Sequence, residues 1–481
     1  MLGLFILLFL EVALLAGVVI LREPRLLIPA VVLGLPIEVL GTETLGALGE
    51  GGVKGAIRAL LNPGKAAMLA TIVVGVIRAR HNPRRLFPDS AVLLPIVALL
   101  SVIVLGLFWS DSLKAPNSVL ILPMYVAFVF VAPSLIEDRR DVERIVGAFL
   151  LAAIGLALVA IVQRLFGVFN WREILIQSDE YSYRANATFA DPNNLARFFA
   201  ISMSLAGGLI LATGPRRQTM YLAIPTLVLG AVGIVATASR SGWLTLILCT
   251  FLVVMVAPIA RYTKARLVTF SFLGLIALLS LLLAQGGTDA ERVRSLASGV
   301  QVIGQREFLI RAGLHMFKDN PLIGVGSGNY QHALLVSYLD LIPEWARTTL
   351  SHTSLVSILA ELGLMGVAIF ALVAMRIGIA ITGAYLATKH TYPRLIIGWL
   401  GAALIGIVFQ SQSEGRLLDE PYLWLLLALF VAFETNAVLT GRGREATATE
   451  APAVATDPSP LVPLPPGGSV EPLTRTGTPA S

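Results

Sequence analysis

The feature that most constrains this chain is a succession of thirteen apolar runs, most of them about long enough to cross a bilayer. A membrane-spanning helix needs roughly 20 apolar residues. The runs therefore predict an all-α fold, a polytopic transmembrane helix bundle of about 12–13 spans. Only 14% of the residues are charged, against about a quarter in soluble proteins, which excludes a soluble enzyme. The runs fill positions 2–21, 26–40, 64–78, 91–109, 116–136, 142–168, 195–213, 219–237, 242–260, 265–285, 364–388, 394–411 and 421–440.

Charge alternates between the loops that join these runs. One alternate set of short segments holds 18 of the 36 Lys and Arg residues, and basic loops stay in the cytoplasm. This pattern predicts an N-terminus outside and a C-terminus inside. The net charge of +6 therefore reflects topology, and no nucleic-acid partner is expected. The single cysteine, Cys249, excludes an internal disulfide.

The sequence predicts three regions along the chain. Residues 1–180 form N-terminal transmembrane helices, and residues 181–440 form a second transmembrane domain with an extracytoplasmic loop at 286–351. Residues 441–481, rich in Pro, Thr, Ala and Gly, form a disordered cytoplasmic tail. A long loop without a span is usually functional or disordered. Helical apolar spacing across 305–317 predicts that this one is ordered.

Two polar segments lie at the outer ends of predicted spans. In Phe189–Ala196, Asp191 and Pro192 are typical of a helix start, and a purely capping role is as plausible as a functional one. The second segment, Ala238–Gly242, places Arg240 in a loop of about four residues. Its guanidinium could extend along the membrane boundary, or it could hold a phosphate beside backbone N–H groups.

The third segment joins the helix at 305–317 to a glycine-rich loop at 321–330. At 100° per residue, Arg306 and Arg311 lie about 140° apart, so they cannot both face one ligand. Arg311 and His315 share a helix face. No strand precedes the glycines and no Lys-Ser/Thr follows them, so a tight helix exit is favoured over nucleotide binding. His332 follows in the same loop without a recognisable motif.

The fourth segment begins at His352, where the chain re-enters the membrane. A lone histidine is more often a structural hydrogen-bonding residue than a catalyst. His352, however, is predicted to lie at the same membrane depth as Arg240. A neutral imidazole there could serve as a general base. Charged residues inside spans are normally paired or functional, and Glu11 and Arg376 are expected to form an ion pair. The charges assigned to spans are Glu11, Arg164, Arg376 and Glu434.

In order and spacing, these four segments resemble the O-antigen ligase and polymerase superfamily of bacterial membrane glycosyltransferases. The matching stretches lie within about residues 185–375 and read FADPNNLA, ATASRSG, REFLIRAGLHMFKDNPLIGVGSGNY and HTSLVSILAELGLMG. The resemblance implies a GT-C-like fold, in which Arg240 and Arg306 grip the donor pyrophosphate and His352 acts near the acceptor hydroxyl. It thus favours Arg306 over Arg311. Thr353 stands where the family commonly has Asn. Candidate supporting residues are Asn193, Arg184, Tyr330 and Ser239.

The implied reaction moves a glycan from a polyprenyl-pyrophosphate donor to an acceptor hydroxyl, with inversion, at the outer face of the bacterial cytoplasmic membrane. The acceptor is a glycan, a lipid or a protein, and the ligase and polymerase alternatives remain open. No metal or cofactor is expected, because two guanidinium groups can neutralise the leaving pyrophosphate and the outer loops contain no Asp-x-Asp pair. The alternative is a non-catalytic transporter or flippase of lipid-linked glycans. Such a protein should concentrate polar groups at mid-membrane rather than in outer loops.

Overall fold

The computed structural model describes residues 17, 22–38, 62–80, 82, 86–112, 119–168, 184–213, 217–267, 300–343, 353–415 and 417–440. Every regular element within these residues is helical. The α-helices are α1 (Leu27–Gly34), α2 (Pro63–Ala79), α3 (Leu93–Leu105), α4 (Leu122–Val131), α5 (Arg139–Phe166), α6 (Pro192–Thr213), α7 (Arg217–Ala236), α8 (Arg240–Val256), α9 (Val300–Asp319), α10 (Tyr330–Val336), α11 (Ser354–Ala387), α12 (Thr391–Ser411), α13 (Pro421–Thr435) and α14 (Ala437–Thr440). Short 3-10 helices cover Pro24–Leu26, Gly106–Trp109, Ala132–Leu135 and Leu339–Leu341.

Four helices among the described residues are long and apolar enough to cross a membrane, namely α5, α6, α11 and α12. Shorter apolar helices accompany them, and the predicted runs coincide with α1–α8 and α11–α13. The structure therefore confirms a helical membrane protein with several spans. Of the predicted runs 2–21 and 265–285, the structure describes only residue 17 and residues 265–267. The predicted tail at 441–481 also lies outside the described residues.

The best-marked helix start is that of α5, and it follows directly from the sequence. The Asp138 side chain accepts a hydrogen bond from the Asp141 N–H, and the Asp141 side chain accepts one in return from the Asp138 N–H. This reciprocal capping box satisfies two N–H groups that would otherwise be unpaired. The helix ends at Gly167, whose positive φ of 61° suits a residue without a side chain.

The core of the bundle forms around α6, which packs against α7, α8 and α12. Its Phe198 stacks on Phe149 of α5 with 6.0 Å between ring centroids, and Phe149 meets Trp399 of α12 edge-on. The indole N–H of Trp399 donates to the Ile201 carbonyl at 3.1 Å, so this large side chain is buried without an unpaired donor. This packing brings the N-terminal ends of α6 and α8 close to the C-terminal end of α12.

Helix α11 is interrupted at Gly363, where φ is 61° and ψ is −157°. The predicted run begins at residue 364, whereas the helix begins at Ser354, because a first short segment precedes the break. The glycine-rich loop fills the gap with backbone hydrogen bonds. Val325 N–H and Gly326 N–H donate to the carbonyls of Ala360 and Glu361 before the break, at 2.9 and 3.0 Å.

The bonds on the other side of the break run in the opposite direction. Leu364 N–H and Met365 N–H donate to the carbonyls of Pro321 and Leu322, at 2.9 and 3.1 Å. The loop thus supplies partners for backbone groups that the interruption would leave unsatisfied. The tight turns expected of the loop glycines are a separate feature, and Gly324, Gly326 and Gly328 adopt the positive φ values that such turns need.

The segment after residue 300 carries a small core of its own. Leu309, Ala312 and Met316 of α9 are buried against Tyr330 and Leu334 of α10. The prediction of a helix across 305–317 is confirmed, since α9 spans all of it.

Tyr338 ties the end of this small core to the end of α9. Its hydroxyl donates to the Asp319 carboxylate at 2.7 Å. Burial, together with this hydrogen bond, raises the pKa of Tyr338 to about 12, so the phenol stays protonated at neutral pH.

Candidate functional site

The C-terminal end of α12 is the place where the polar segments meet. We call residues 410–414, at the end of α12 and just after it, the outer turn, because the sequence predicts that they lie on the outer side. Hydrogen bonds join this turn to the starts of α6 and α11 and to α9. Because the partners lie far apart in sequence, the fold itself assembles this polar region.

The first contact to the outer turn comes from the start of α6. Asp191 caps the helix, since its carboxylate accepts the Asn193 N–H at 2.8 Å, and this confirms the predicted helix start at Pro192. The Gln410 side-chain amide then donates to the Asn193 carbonyl at 2.8 Å and to the Glu414 carboxylate at 2.8 Å. Gln410 thus links α6 to the outer turn.

The side chain of Asn193 connects the same region to the start of α8. Its Oδ1 accepts from the Ser239 hydroxyl at 2.7 Å and from the Arg184 guanidinium at 2.9 Å. Arg184 also donates to the Thr237 carbonyl at 3.0 Å. Asn193 therefore contacts two other candidate supporting residues, Ser239 and Arg184.

Ser239 and Arg240 form the beginning of α8. Ser239 is the cap, because its hydroxyl accepts the Gly242 N–H at 3.2 Å, and Arg240 is the first helical residue, with a half-buried side chain. Just before them, Ala238 adopts a φ of 48°, which is unusual for a residue other than glycine. The turn that presents Arg240 is therefore fixed from both sides.

Arg306 and Arg311 of α9 lie in different surroundings. The Arg306 guanidinium donates to the Ser413 carbonyl in the outer turn at 3.2 Å. The Arg311 side chain is 64% exposed and pairs with Glu307 one helical turn away. Of the two arginines, the structure brings Arg306 to the polar region and leaves Arg311 on the surface.

The start of α11 contacts the outer turn as well. The Ser354 hydroxyl donates to the Ser411 carbonyl at 3.0 Å, and the Leu355 N–H donates to the Gln412 side chain at 3.2 Å. Thr353 is the capping residue of this helix, although its side chain makes no capping hydrogen bond. His352 lies outside the described residues, immediately before Thr353.

Sequence reasoning missed a buried ion cluster beside the outer turn. Arg197 of α6 is 1% exposed, and its guanidinium contacts the carboxylates of Glu414 and Glu420. The sequence signal was present, because Arg197 is a charged residue within the apolar run 195–213, where a charge is costly unless paired. Its two partners lie more than 200 residues away, so no local pattern identifies them.

Tyr330 and Glu361 belong to the packing of the glycine-rich loop. The Glu361 carboxylate accepts from the N–H groups of Gly328 and Tyr330 at 3.0 and 3.1 Å. The Tyr330 hydroxyl donates to the Leu309 carbonyl. These contacts tie the loop to α9 and α11, and the N–H groups of Gly328 and Tyr330 are already occupied by a carboxylate of the chain itself.

The structure shows the surroundings of Glu434 and Arg376, two of the charged residues that the sequence assigns to spans. Glu434 accepts from the hydroxyl of Ser90 and from the N–H of Ala91, so it helps to hold the chain before α3. Arg376 is exposed, and Glu11 lies outside the described residues. The Glu11–Arg376 ion pair therefore stays a prediction.

A cavity of about 930 Å³ opens beside the polar region. Asn194, Ser354 and Glu414 line it. In sequence, Asn194 follows Asn193, Ser354 lies two residues after His352, and Glu414 follows Ser413, which Arg306 contacts. His332, which the sequence left without a motif, also lines it. Within the described residues, no group of His, Cys, Asp or Glu side chains is arranged to hold a metal ion.

These observations define a class of protein, a helical membrane protein with several spans whose polar groups gather at one end of the bundle. Residues 225–371 match the model of a family described as O-antigen ligase. This match confirms the resemblance inferred from the sequence. It contains three of the four resembling segments, whereas Phe189–Ala196 lies before it. No curated protein matches the chain.

Proposed function

We propose that this protein transfers a glycan from a polyprenyl-pyrophosphate donor to an acceptor hydroxyl at the outer face of the bacterial cytoplasmic membrane. The match of residues 225–371 to the O-antigen ligase family supports a role in surface polysaccharide assembly. The observation that carries the proposal further is the outer turn, since α6, α9 and α11 all bond to it. The segments that resemble the family therefore share one region of the molecule.

In this proposal Arg240 and Arg306 hold the donor pyrophosphate. Guanidinium groups form paired, charge-assisted hydrogen bonds to phosphate oxygens and keep their charge at any physiological pH. As the bond to the glycan breaks, negative charge grows on the pyrophosphate, and fixed cations stabilise that charge. Asn193, Ser239 and Arg184 support the turn from which Arg240 projects.

His352 is the proposed general base. The acceptor oxygen attacks the anomeric carbon of the donor sugar while its proton passes to the imidazole. The bond from that carbon to the pyrophosphate oxygen breaks, and its electron pair stays on the leaving polyprenyl pyrophosphate. Attack from the face opposite the leaving group inverts the anomeric configuration. No metal takes part in this scheme.

The same chemistry serves a ligase, which moves a finished glycan, and a polymerase, which extends a lipid-linked repeat unit. The shared chemistry does not separate them, whereas the acceptor does. A transporter or flippase would make and break no covalent bond. Without it the lipid-linked glycan would accumulate on the cytoplasmic side, whereas without a glycosyltransferase it would accumulate on the outer side.

A deletion strain tests the proposal. It should accumulate lipid-linked glycan that an added glycosidase can reach in intact spheroplasts, because the donor has already crossed the membrane. Purified full-length protein in nanodiscs, given lipid extract from that strain, should join donor to acceptor in excess EDTA. Glycan trapped on the cytoplasmic side would indicate a flippase instead. Activity lost in EDTA and restored by Mg²⁺ or Mn²⁺ would overturn the metal-independent scheme.

A further inference from the structure

The glycine-rich loop exposes apolar side chains directly after polar ones. We call residues 321–323, which read Pro-Leu-Ile, the loop tip. Leu322 is 69% exposed and Ile323 is 44% exposed, whereas the exposed residues just before them, 318–320, are Lys-Asp-Asn. Large exposed aliphatic side chains beside charged ones are typical of a surface that meets a partner or a membrane.

The length of α11 places a membrane boundary near its break. At about 1.5 Å per residue, its 34 residues would extend about 51 Å, whereas the hydrocarbon core is about 30 Å thick. Residues 364–387, the apolar part after the break, extend about 36 Å by the same measure and fill the core with a modest tilt. Glu361 lies just before this part and Lys389 just after it. The break at Gly363 therefore lies near one face of the hydrocarbon core.

Backbone hydrogen bonds hold the loop tip level with this boundary. The carbonyl of Pro321 accepts from the Leu364 N–H at 2.9 Å, and the carbonyl of Leu322 accepts from the Met365 N–H at 3.1 Å. Both donors belong to the first turn of the apolar part of α11. The loop tip therefore lies beside that turn, and the side chain of Leu364 next to it is exposed as well.

A second helix gives the same level independently. The Ser327 N–H donates to the Gly106 carbonyl at 3.0 Å, and the Ser327 hydroxyl donates to the Ile103 carbonyl at 2.6 Å. Gly106 directly follows α3 near the end of the apolar run 91–109, and Asp111 is the first charged residue after it. Because the ends of two spans bond to this one loop, the loop lies at the face of the membrane where both spans end.

We propose that the loop tip is inserted into the bilayer, with the side chains of Leu322 and Ile323 among lipid acyl chains close to the headgroups. In the predicted topology this is the outer leaflet. The occupant is lipid because α11, only 11% buried over its most apolar window, presents an open apolar surface that continues into the loop tip through Leu364. The long loop thus enters the bilayer without crossing it, and α9 and α10 on either side of the tip are held at the membrane surface. The inference does not depend on the proposed function.

Spin labelling tests the depth of the loop tip without any transfer reaction. In a Cys249→Ala background, a nitroxide is attached to Leu322→Cys. The reference is Met375→Cys, exposed in the apolar part of α11, and the control is Ser337→Cys, exposed at the end of α10. Power saturation in nanodiscs compares collisions with oxygen and with a polar nickel chelate. Oxygen concentrates in hydrocarbon and the chelate in water, so the oxygen-to-nickel ratio at Leu322→Cys should exceed that at Ser337→Cys by about 10-fold.

Two results would overturn the insertion of the loop tip. A ratio at Leu322→Cys as low as that at Ser337→Cys would place the tip in water. Poor access of both reagents would mean that another part of the chain or a partner protein covers the tip in place of lipid. Ile323→Cys repeats the measurement if the first variant fails to fold.

Quenching by lipid-borne nitroxides gives the position within the leaflet. Bimane on Leu322→Cys should be quenched more by a phospholipid that carries its nitroxide near the headgroup than by one that carries it near the chain end, because the loop tip lies beside the first turn of the span. Bimane on Met375→Cys, about 18 Å along the helix from the break, should show the reverse order. The same order at both positions, or no quenching of Leu322→Cys by either lipid, would contradict insertion near the headgroups.

Discussion

At the scale of single residues, the two arginines of α9 give the sharpest contrast. Arg306→Ala should lower transfer by about 100-fold and weaken donor binding, because it removes a cation proposed to meet the pyrophosphate. Arg311→Ala should stay within about 2-fold of the parent, since an exposed pair with Glu307 contributes little. Transfer rates and donor binding of both variants check this. Similar losses in the two would show that the site is assigned to the wrong helix face.

Arg197 matters for stability rather than for the proposed chemistry. Arg197→Met should destabilise the protein by about 3–5 kcal/mol, because it leaves Glu414 and Glu420 buried and uncompensated. Adding Glu414→Gln and Glu420→Gln should recover a large part of that loss. Thermal unfolding in detergent measures both effects, with Arg311→Met as the exposed control. A single variant as stable as the parent would contradict the buried pairing.

The sequence predicted the individual polar residues better than their partners. Asp191 acts as a helix cap as its local pattern indicates, since capping depends on the next three residues only. Gln410 was not singled out, because an amide at the end of an apolar run is typical of a helix end. Its contact with Asn193 spans 217 residues and depends on how α6 and α12 pack.

At the scale of elements, the break in α11 is the feature most open to test. Gly363→Ala should destabilise the protein by several kcal/mol. A side chain is strained at this positive φ, and the added Cβ would lie 2.6 Å from backbone atoms of Leu322. Gly378→Ala, in the same helix with open space around it, should be neutral or slightly stabilising. Thermal unfolding of the pair checks this. Equal behaviour of the two variants would argue against a real break at Gly363.

Helix positions followed from hydropathy, whereas the break did not. Apolar runs predict where a span lies because burying backbone in lipid demands a helix. The segment Ser354–Leu362 precedes the predicted run at 364, and nothing in its spacing indicates that Gly363 separates two helical segments. The partners that make the break tolerable lie in the glycine-rich loop, about 40 residues earlier.

At the scale of the whole molecule, the basic loops predict which side faces out. In a Cys249→Ala background, Ser337→Cys should react with an impermeant reagent added to intact cells. Thr263→Cys should react only after the membrane is opened, since it lies in a loop predicted to be cytoplasmic. Labelling yields before and after permeabilisation decide this. Strong labelling of Thr263→Cys in intact cells would reverse the topology.

The reciprocal bonds across the break in α11 have a consequence for how the protein opens. Val325, Gly326, Leu364 and Met365 each donate a backbone N–H across the junction, so none of the four bonds can be released without separating loop from helix. Hydrogen exchange at these four amides should therefore report one free energy of opening and one dependence on denaturant, as expected of a single cooperative unit. Exchange measured by mass spectrometry on peptides from both sides, corrected for intrinsic rates, checks this, and weaker protection in the loop than in the helix would contradict it. The glycine-rich loop and α11 would then unfold together when the protein is heated.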